Sequence, residues 1–159
     1  MARVFPGRYT AQIEGPFVVF LIGMRVNHFW KVWKWLPVAL SMPPLLKALR
    51  EDPAKGWLHG EAFIGNRGPL LVQYWRSFED LERFARSPEE PHLEAWQAFN
   101  RRVGVRGDVG VWHETYRVEA GAYECIYNNM PVFGLAQAAR HLPADAAYET
   151  ARRRLARKE

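Results

Sequence analysis

Phe17-Val-Val-Phe-Leu-Ile-Gly-Met24 is the stretch from which the fold can be read. It is β-branched and aromatic, and Pro16 bounds it, so it reads as a strand. It shows no polar alternation, which marks a strand buried on both faces. Side chains alternate, so Phe17, Val19 and Leu21 share one face and Val18, Phe20 and Ile22 the other. Helices from one copy can hide only one of these faces. A second cover is therefore expected, and a twofold-related sheet from a partner copy is the economical one. The chain is expected to be a homodimer.

Upstream, residues 1–16 are polar and broken by Pro6, Gly7, Gly15 and Pro16, and they read as an arm with a short extended piece at Tyr9–Ile13. Downstream, His28 to Asp52 reads as helical with breaks. Asn27 suits an N-cap, Pro37 a kink, and Pro43-Pro44 the first turn of a new helix with a Leu45, Leu46 and Leu49 stripe. Gly56 to Gly65 reads as a strand, Asn66-Arg67-Gly68-Pro69 as a tight turn, and Leu70 to Arg76 as the second arm of a hairpin. Ser77 with Asp80 has the spacing of a capping box for a helix carrying Phe78, Leu81 and Phe84. Pro91 opens a further helix with Leu93, Trp96, Ala98 and Phe99. Val109 to Val118 reads as a strand, and Tyr123 to Tyr127 as a further short one. After Gly134 the chain reads as helical, Ala-rich and basic. The order β–α–β–β–α–β is that of a ferredoxin-like, split βαβ antiparallel sheet in the α+β class. Residues 1–138 form the expected domain, pairing as a dimeric α+β barrel, and 139–159 a basic C-terminal extension, helical or frayed.

The chain has 159 residues, 48% of them hydrophobic, with seven Trp, six Tyr and nine Phe. That is enough to bury a core without staples. Trp and Tyr at this density suit a pocket or an interface as well as a core. Cys125 is the single cysteine, so an internal disulfide and a Cys-based zinc site are excluded. With no apolar leader segment and no apolar run near twenty residues, a cytoplasmic protein is expected. The net charge of +5 is carried mostly by Arg152, Arg153, Arg154, Arg157 and Lys158. The rest of the chain is nearly neutral, so nucleic-acid binding is not expected.

Several stretches together resemble one family. They are Phe17 to Arg25, Trp30-Lys-Val-Trp-Lys-Trp-Leu-Pro37, Met42-Pro-Pro44, Val72 to Arg86, Pro91-His92-Leu93, Val111-Trp-His-Glu-Thr-Tyr-Arg117 and Tyr127-Asn-Asn-Met-Pro131. The family is a monooxygenase-like domain, typed on a member of the fumagillin biosynthetic cluster, in the dimeric α+β barrel superfamily. The resemblance runs over about residues 9–137. It implies a homodimer with a small-molecule pocket between sheet and helices. The superfamily also holds haem-binding members, including haem-degrading enzymes, chlorite dismutases and aldoxime dehydratases, and fold alone does not transfer function.

The chain contains no P-loop, no dinucleotide-binding glycine fingerprint, no His-Glu-x-x-His and no Gly-x-Ser-x-Gly. His113 sits mid-strand on a face with Val111 and Thr115, where an imidazole reads as a general base, a haem ligand or a satisfied interior histidine. His92 falls on a stripe with Trp96 and Phe99, at i, i+4 and i+7, with the same options. Asn27, as cap or as binder of a substrate carbonyl, and Arg25, as carboxylate anchor, lie at a strand end. Tyr74, Tyr127 and Asn129 are further pocket candidates. Trp30 and Trp33 are expected on the sheet with Lys31 and Lys34 in water, so peripheral membrane contact is not expected. Three functions stay open: a monooxygenase-like oxidoreductase on a small apolar or aromatic molecule, without cofactor; a haem protein with His113 or His92 on iron; and a noncatalytic binder of a hydrophobic metabolite.

Overall fold

The computed structural model describes residues 2–87, 97, 101 and 106–156. The apolar stretch becomes β2 (Phe17–Val26), with β1 (Phe5–Gln12) before it. After it come α1 (Val32–Leu40), α2 (Met42–Glu51), β3 (Trp57–Gly65), β4 (Gly68–Trp75), α3 (Phe78–Arg86) and β5 (Val109–Val118). The main sheet has the order β3-β4-β2-β5, with every neighbouring pair antiparallel. β2 reaches the parallel strand β3 through α1 and α2, and β4 lies between them. That is the split βαβ connection the sequence pattern predicts, and the chain is α+β with a ferredoxin-like sheet.

The helices cover one face of this sheet. Val18 on β2 and Trp75 on β4 pack against Leu45 and Leu49 of α2 and Leu81 and Phe84 of α3. The stripe on α2 recurs at the four-residue spacing that faces a core. The buried Trp75 indole donates to the Gln73 side-chain oxygen at 3.1 Å. Ser77 caps α3 by accepting from the Asp80 backbone N–H. The Asp80 carboxylate serves another purpose, described below. Pro37 lies inside α1, and Pro43-Pro44 stand in the first turn of α2.

Three expectations are corrected. First, the other face of β2 is not bare. A second sheet of order β6-β1-β7 lies over part of it, with β6 at Tyr127–Met130 and β7 at Arg140–Pro143. Phe17 packs with Ala11, Leu135 and Ala136, and with half-buried Val19, Tyr74, Val118 and Tyr123. The chain therefore roofs the first half of that face itself. The outer half stays open, with Leu21 half-buried and Trp112 and Tyr116 exposed. Neither sheet closes into a barrel among the described residues.

Second, the chain beyond Gly134 is not one helix. It holds α4 (Leu135–Ala138), β7, a 3-10 turn at Ala146–Tyr148 and α5 (Ala151–Leu155). Arg154 on α5 is buried and bonds the Glu124 carboxylate at 2.7 Å. Part of the basic tail is thus tied into the fold.

Third, Asn27 does not cap α1, whose N-cap is Lys31, and Trp30 and Trp33 do not pack on the sheet. They are 69% and 67% exposed. Trp35, Val38 and Ala39 point inward instead, onto Met24, Val26 and Val109.

Candidate functional site

The helix-facing side of β2 carries Phe20 and Ile22, and the adjacent edge strand β5 carries Val111, His113 and Thr115. Ile22 pairs with His113 and Phe20 with Thr115 across the ladder. α1 and α2 stand over this surface on one side and α3 on the other. Between them is a cavity of about 370 Å³, within the range of small-molecule sites. Val38, Met42 and Leu45 form one wall, and Phe78, Leu81 and Ala85 another. Smaller pockets of about 40 and 30 Å³ share Ile22 and Met42 with it.

The polar groups on the lining are few. The Ser41 hydroxyl already donates to the Val38 carbonyl at 2.7 Å. Glu82 and Arg86 pair with each other at 2.9 Å on α3. Among the described residues that leaves His113 and Thr115, side by side on one face of β5. The His113 ring lies 5.7 Å from the Phe20 ring, tilted by 41°. An imidazole on an otherwise greasy wall can take or give a proton, or offer a lone pair to iron.

The structure separates the other candidates from this cavity. Arg25 donates to the Asn27 side-chain oxygen at 3.1 Å, and the Asn27 amide donates to the Gly107 carbonyl at 2.9 Å. Both sit where β2 leaves the sheet, and neither lines the cavity. Next to them the buried Asp108 carboxylate accepts from Lys31 at 2.6 Å and meets the His28 ring at 2.9 Å. Lys31 first, and His28 after it, hold the Asp108 carboxyl below the usual carboxylate range.

Tyr74 and Tyr127 belong to the layer between the two sheets. The Tyr127 hydroxyl accepts from the Ala136 N–H at 3.2 Å. Burial, then the nearby Cys125, raises the pKa values of Tyr74 and Tyr127 above the ordinary tyrosine value. Asn129, at φ 53°, accepts from the Gly7 N–H and holds β1 against β6. His92, Trp96 and Phe99 lie outside the described residues. Sequence reasoning placed His113, Val111 and Thr115 on one face but missed the α3 wall, although Phe78, Leu81 and Ala85 recur at helical spacing. Among the described residues no group of three or more His, Cys, Asp or Glu is placed to hold a metal ion, and no helix is long and apolar enough to cross a membrane.

Fold and cavity together define an α+β protein with a ferredoxin-like sheet and an apolar, imidazole-bearing chamber under its helices. The chain belongs to the monooxygenase af470-like family, whose model matches residues 17–135. That span runs from the first residue of β2 to the start of α4, and leaves out β1 and β7. A curated relative, "Monooxygenase af470" of Aspergillus fumigatus, is 29% identical over 81% of this chain. The match takes up 53% of that protein, so this chain spans about half its length. Among solved structures, an aldoxime dehydratase in complex with butyraldoxime shares the fold at a TM-score of 0.68 and 20% identity. It covers 87% of this chain and 43% of its own. SnoaB, a cofactor-independent oxygenase from Streptomyces nogalater, aligns at a TM-score of 0.45 and 12% identity, over 63% of this chain and 90% of its own.

Proposed function

We propose that the chain acts as a monooxygenase-like oxidoreductase on a small apolar or aromatic molecule held between sheet and helices, with His113 as its acid–base group. The observation that carries this reading is the His113 imidazole, the one imidazole among the described residues on the apolar wall of the 370 Å³ cavity. Apolar walls exclude water and favour a flat, greasy substrate. An imidazole suits removal of a proton from an acidic CH₂ of the substrate. The carbanion reduces dioxygen and forms a hydroperoxide on the same carbon. Loss of water from that hydroperoxide leaves a carbonyl, so CH₂ and O₂ become C=O and H₂O. Thr115, one pleat from His113, is placed to donate a hydrogen bond to a substrate oxygen. His92, Trp96 and Phe99 stay candidates by their spacing alone, whereas Arg25, Asn27, Tyr74, Tyr127 and Asn129 do not line this cavity.

The test uses an electron-rich aromatic ketone with an acidic CH₂, followed by oxygen uptake. His113→Phe keeps the apolar volume and removes the base, so turnover is expected to fall by on the order of 10²–10⁴ while ligand binding persists. Unchanged oxygen uptake in that variant removes His113 from the mechanism. Binding without uptake in the parent chain means a carrier of hydrophobic metabolites instead.

The same imidazole supports a second reading. A haem needs an axial nitrogen and flat apolar walls, and His113 beside Phe20 and Val111 supplies both. His113 would hold the iron, and the group would supply one-electron and dioxygen chemistry. A Soret band that forms on haem titration and is lost in His113→Ala selects this reading. A homodimer completes the proposal, since Leu21, Trp112 and Tyr116 leave the outer half of the second sheet face open. Sedimentation showing a stable monomer at micromolar concentration removes that part.

A further inference from the structure

Phe20 on β2 pairs with Gln73 on β4 to one side and with Thr115 on β5 to the other. Directly paired residues share a face. Gln73 therefore stands in the same transverse row as Thr115, under the helices, about 10 Å away by strand spacing. It is 5% exposed. It lines an inner pocket of about 40 Å³ whose other walls are apolar, among them Leu46, Leu49 and Phe84. Phe20, Ile22, Met42 and Leu45 wall both this pocket and the main cavity. The two spaces are neighbours, divided by side chains they share.

The Gln73 amide has a fixed orientation. The Trp75 indole N–H can only donate, and it donates to the Gln73 side-chain oxygen at 3.1 Å. The oxygen faces Trp75, so the NH₂ group turns away from it. Among the described residues that nitrogen has no acceptor, and it is open to the pocket instead of sealed by protein. A buried donor without an acceptor is costly. Whatever fills the inner pocket removes that cost if it brings an oxygen.

We propose that Gln73 binds substrate, its amide donating to a neutral carbonyl or ether oxygen at the far end of the apolar molecule whose reacting carbon lies at His113. Among the described residues no cation lines the inner pocket, so a carboxylate there would be a buried, unpaired charge. The substrate class is thus an elongated apolar body that lies across β2 over Phe20, with the acidic CH₂ at one end and an acceptor oxygen at the other. Met42, on the wall of both spaces, has the flexible side chain to swing aside and join them. The inference rests on the cavity being the substrate site, and it names the substrate chemistry that site selects.

The test is calorimetric titration of the full chain, without oxygen, with two tetralones. One carries an acetyl group on the ring remote from its ketone, and the other carries isopropyl there. They have nearly the same shape, and only the first offers an acceptor at that end. Gln73→Met keeps the side chain's length, and its sulfur still receives the Trp75 N–H weakly. The ratio of acetyl to isopropyl affinity is expected to fall about tenfold in this variant. A purely structural role for Gln73 weakens both ligands alike and leaves the ratio unchanged. The acetyl carbonyl, isotope-labelled, should keep its water-like NMR position when bound to the parent and move upfield, towards its position in a hydrocarbon, in Gln73→Met. An unchanged ratio overturns the proposal and assigns the amide to a trapped water. So does a hydrocarbon-like carbonyl in the parent, or a parent that binds neither ketone. Should Gln73→Met not fold, the carbonyl position in the parent decides. Because only binding is measured, a chain with this preference that consumes no oxygen refutes the oxygenase reading and leaves the role of Gln73 standing.

Discussion

Asp80→Asn isolates one buried carboxylate whose surroundings are fully specified. Asp80 lies at the first turn of α3 with its side chain 5% exposed, accepting from Arg76 at 2.8 Å and from Arg83 at 2.9 Å. The two guanidinium groups are 57% and 65% exposed, so water screens them and each bond is weaker than a fully buried pair. Two such bonds to a buried charge sum to about 1–2 kcal/mol. Asparagine has the same shape, so the substitution removes the charge and creates no cavity. At pH 7 the variant should lose that 1–2 kcal/mol, or roughly 3–6 °C in Tm for a chain of this size.

The pH dependence follows from the carboxylate. Arg76, chiefly, holds the Asp80 carboxyl below its ordinary value of 3.8. A lowered native value means the stabilisation is complete above pH 3.8 and is lost as pH falls through the native value. Asparagine does not titrate, so the gap between parent and variant should narrow steadily below pH 4. Urea unfolding followed by circular dichroism at pH 7 and near pH 3 measures it. A gap of the same size at both values, or none at pH 7, refutes the reasoning.

Other substitutions probe neighbouring parts. Gly56 has φ +79°, and a Cβ there would land on the Asp80 carboxylate, so Gly56→Ala should cost about 2 kcal/mol or more in urea unfolding. Its effect should combine non-additively with Asp80→Asn, since both act on one network. Leu49 is 2% exposed in the core under the helices, and Leu49→Ala should lower stability by about 2–4 kcal/mol in the same assay. Tyr127→Phe removes one of the two acceptors of the Ala136 N–H, which keeps the Phe133 carbonyl at 3.1 Å, so the loss should be about 0.5–1 kcal/mol at pH 7. Burial raises the Tyr127 pKa above its ordinary 10.0, so its contribution is complete below pH 10 and is lost as pH climbs through the native value. Alkaline titration followed at the tyrosinate absorbance should show the gap to Tyr127→Phe closing there.

The parts of the fold legible in the sequence are those with an unambiguous local pattern. Val109 to Val118 was readable to its ends, because Asp108 and Glu119 flank an alternating run. β2 was readable because eight consecutive apolar residues leave no other assignment, although it runs two residues further, to Val26. Alternation also put His113 on the face with Val111 and Thr115, and that face lines the cavity. β1, in contrast, carries Phe5-Pro-Gly-Arg-Tyr-Thr-Ala-Gln12, which has no sustained period and includes Pro6 and Gly7. Its pairing energy comes from β6 and β7, more than a hundred residues away, and such contacts leave no local trace. The candidate site scattered for a similar reason: Asn27, Tyr74 and Asn129 are polar or aromatic groups near strand ends, and each found a structural partner.

The order of elements in the main sheet, the split βαβ connection and the sharing of one β5 face by Val111, His113 and Thr115 followed from the sequence, since residue type and two-residue alternation specify them. Only the tertiary structure decided which side of α1 turns inward. That helix is apolar nearly all round, so periodicity cannot choose between Trp33 with Leu36 and Trp35 with Val38. Packing on Met24, Val26 and Val109 settles it, and leaves two tryptophans facing outward. Only the tertiary structure, too, revealed that the chain's own second sheet covers half of the face a partner was expected to hide, because that cover is assembled from segments at opposite ends of the chain.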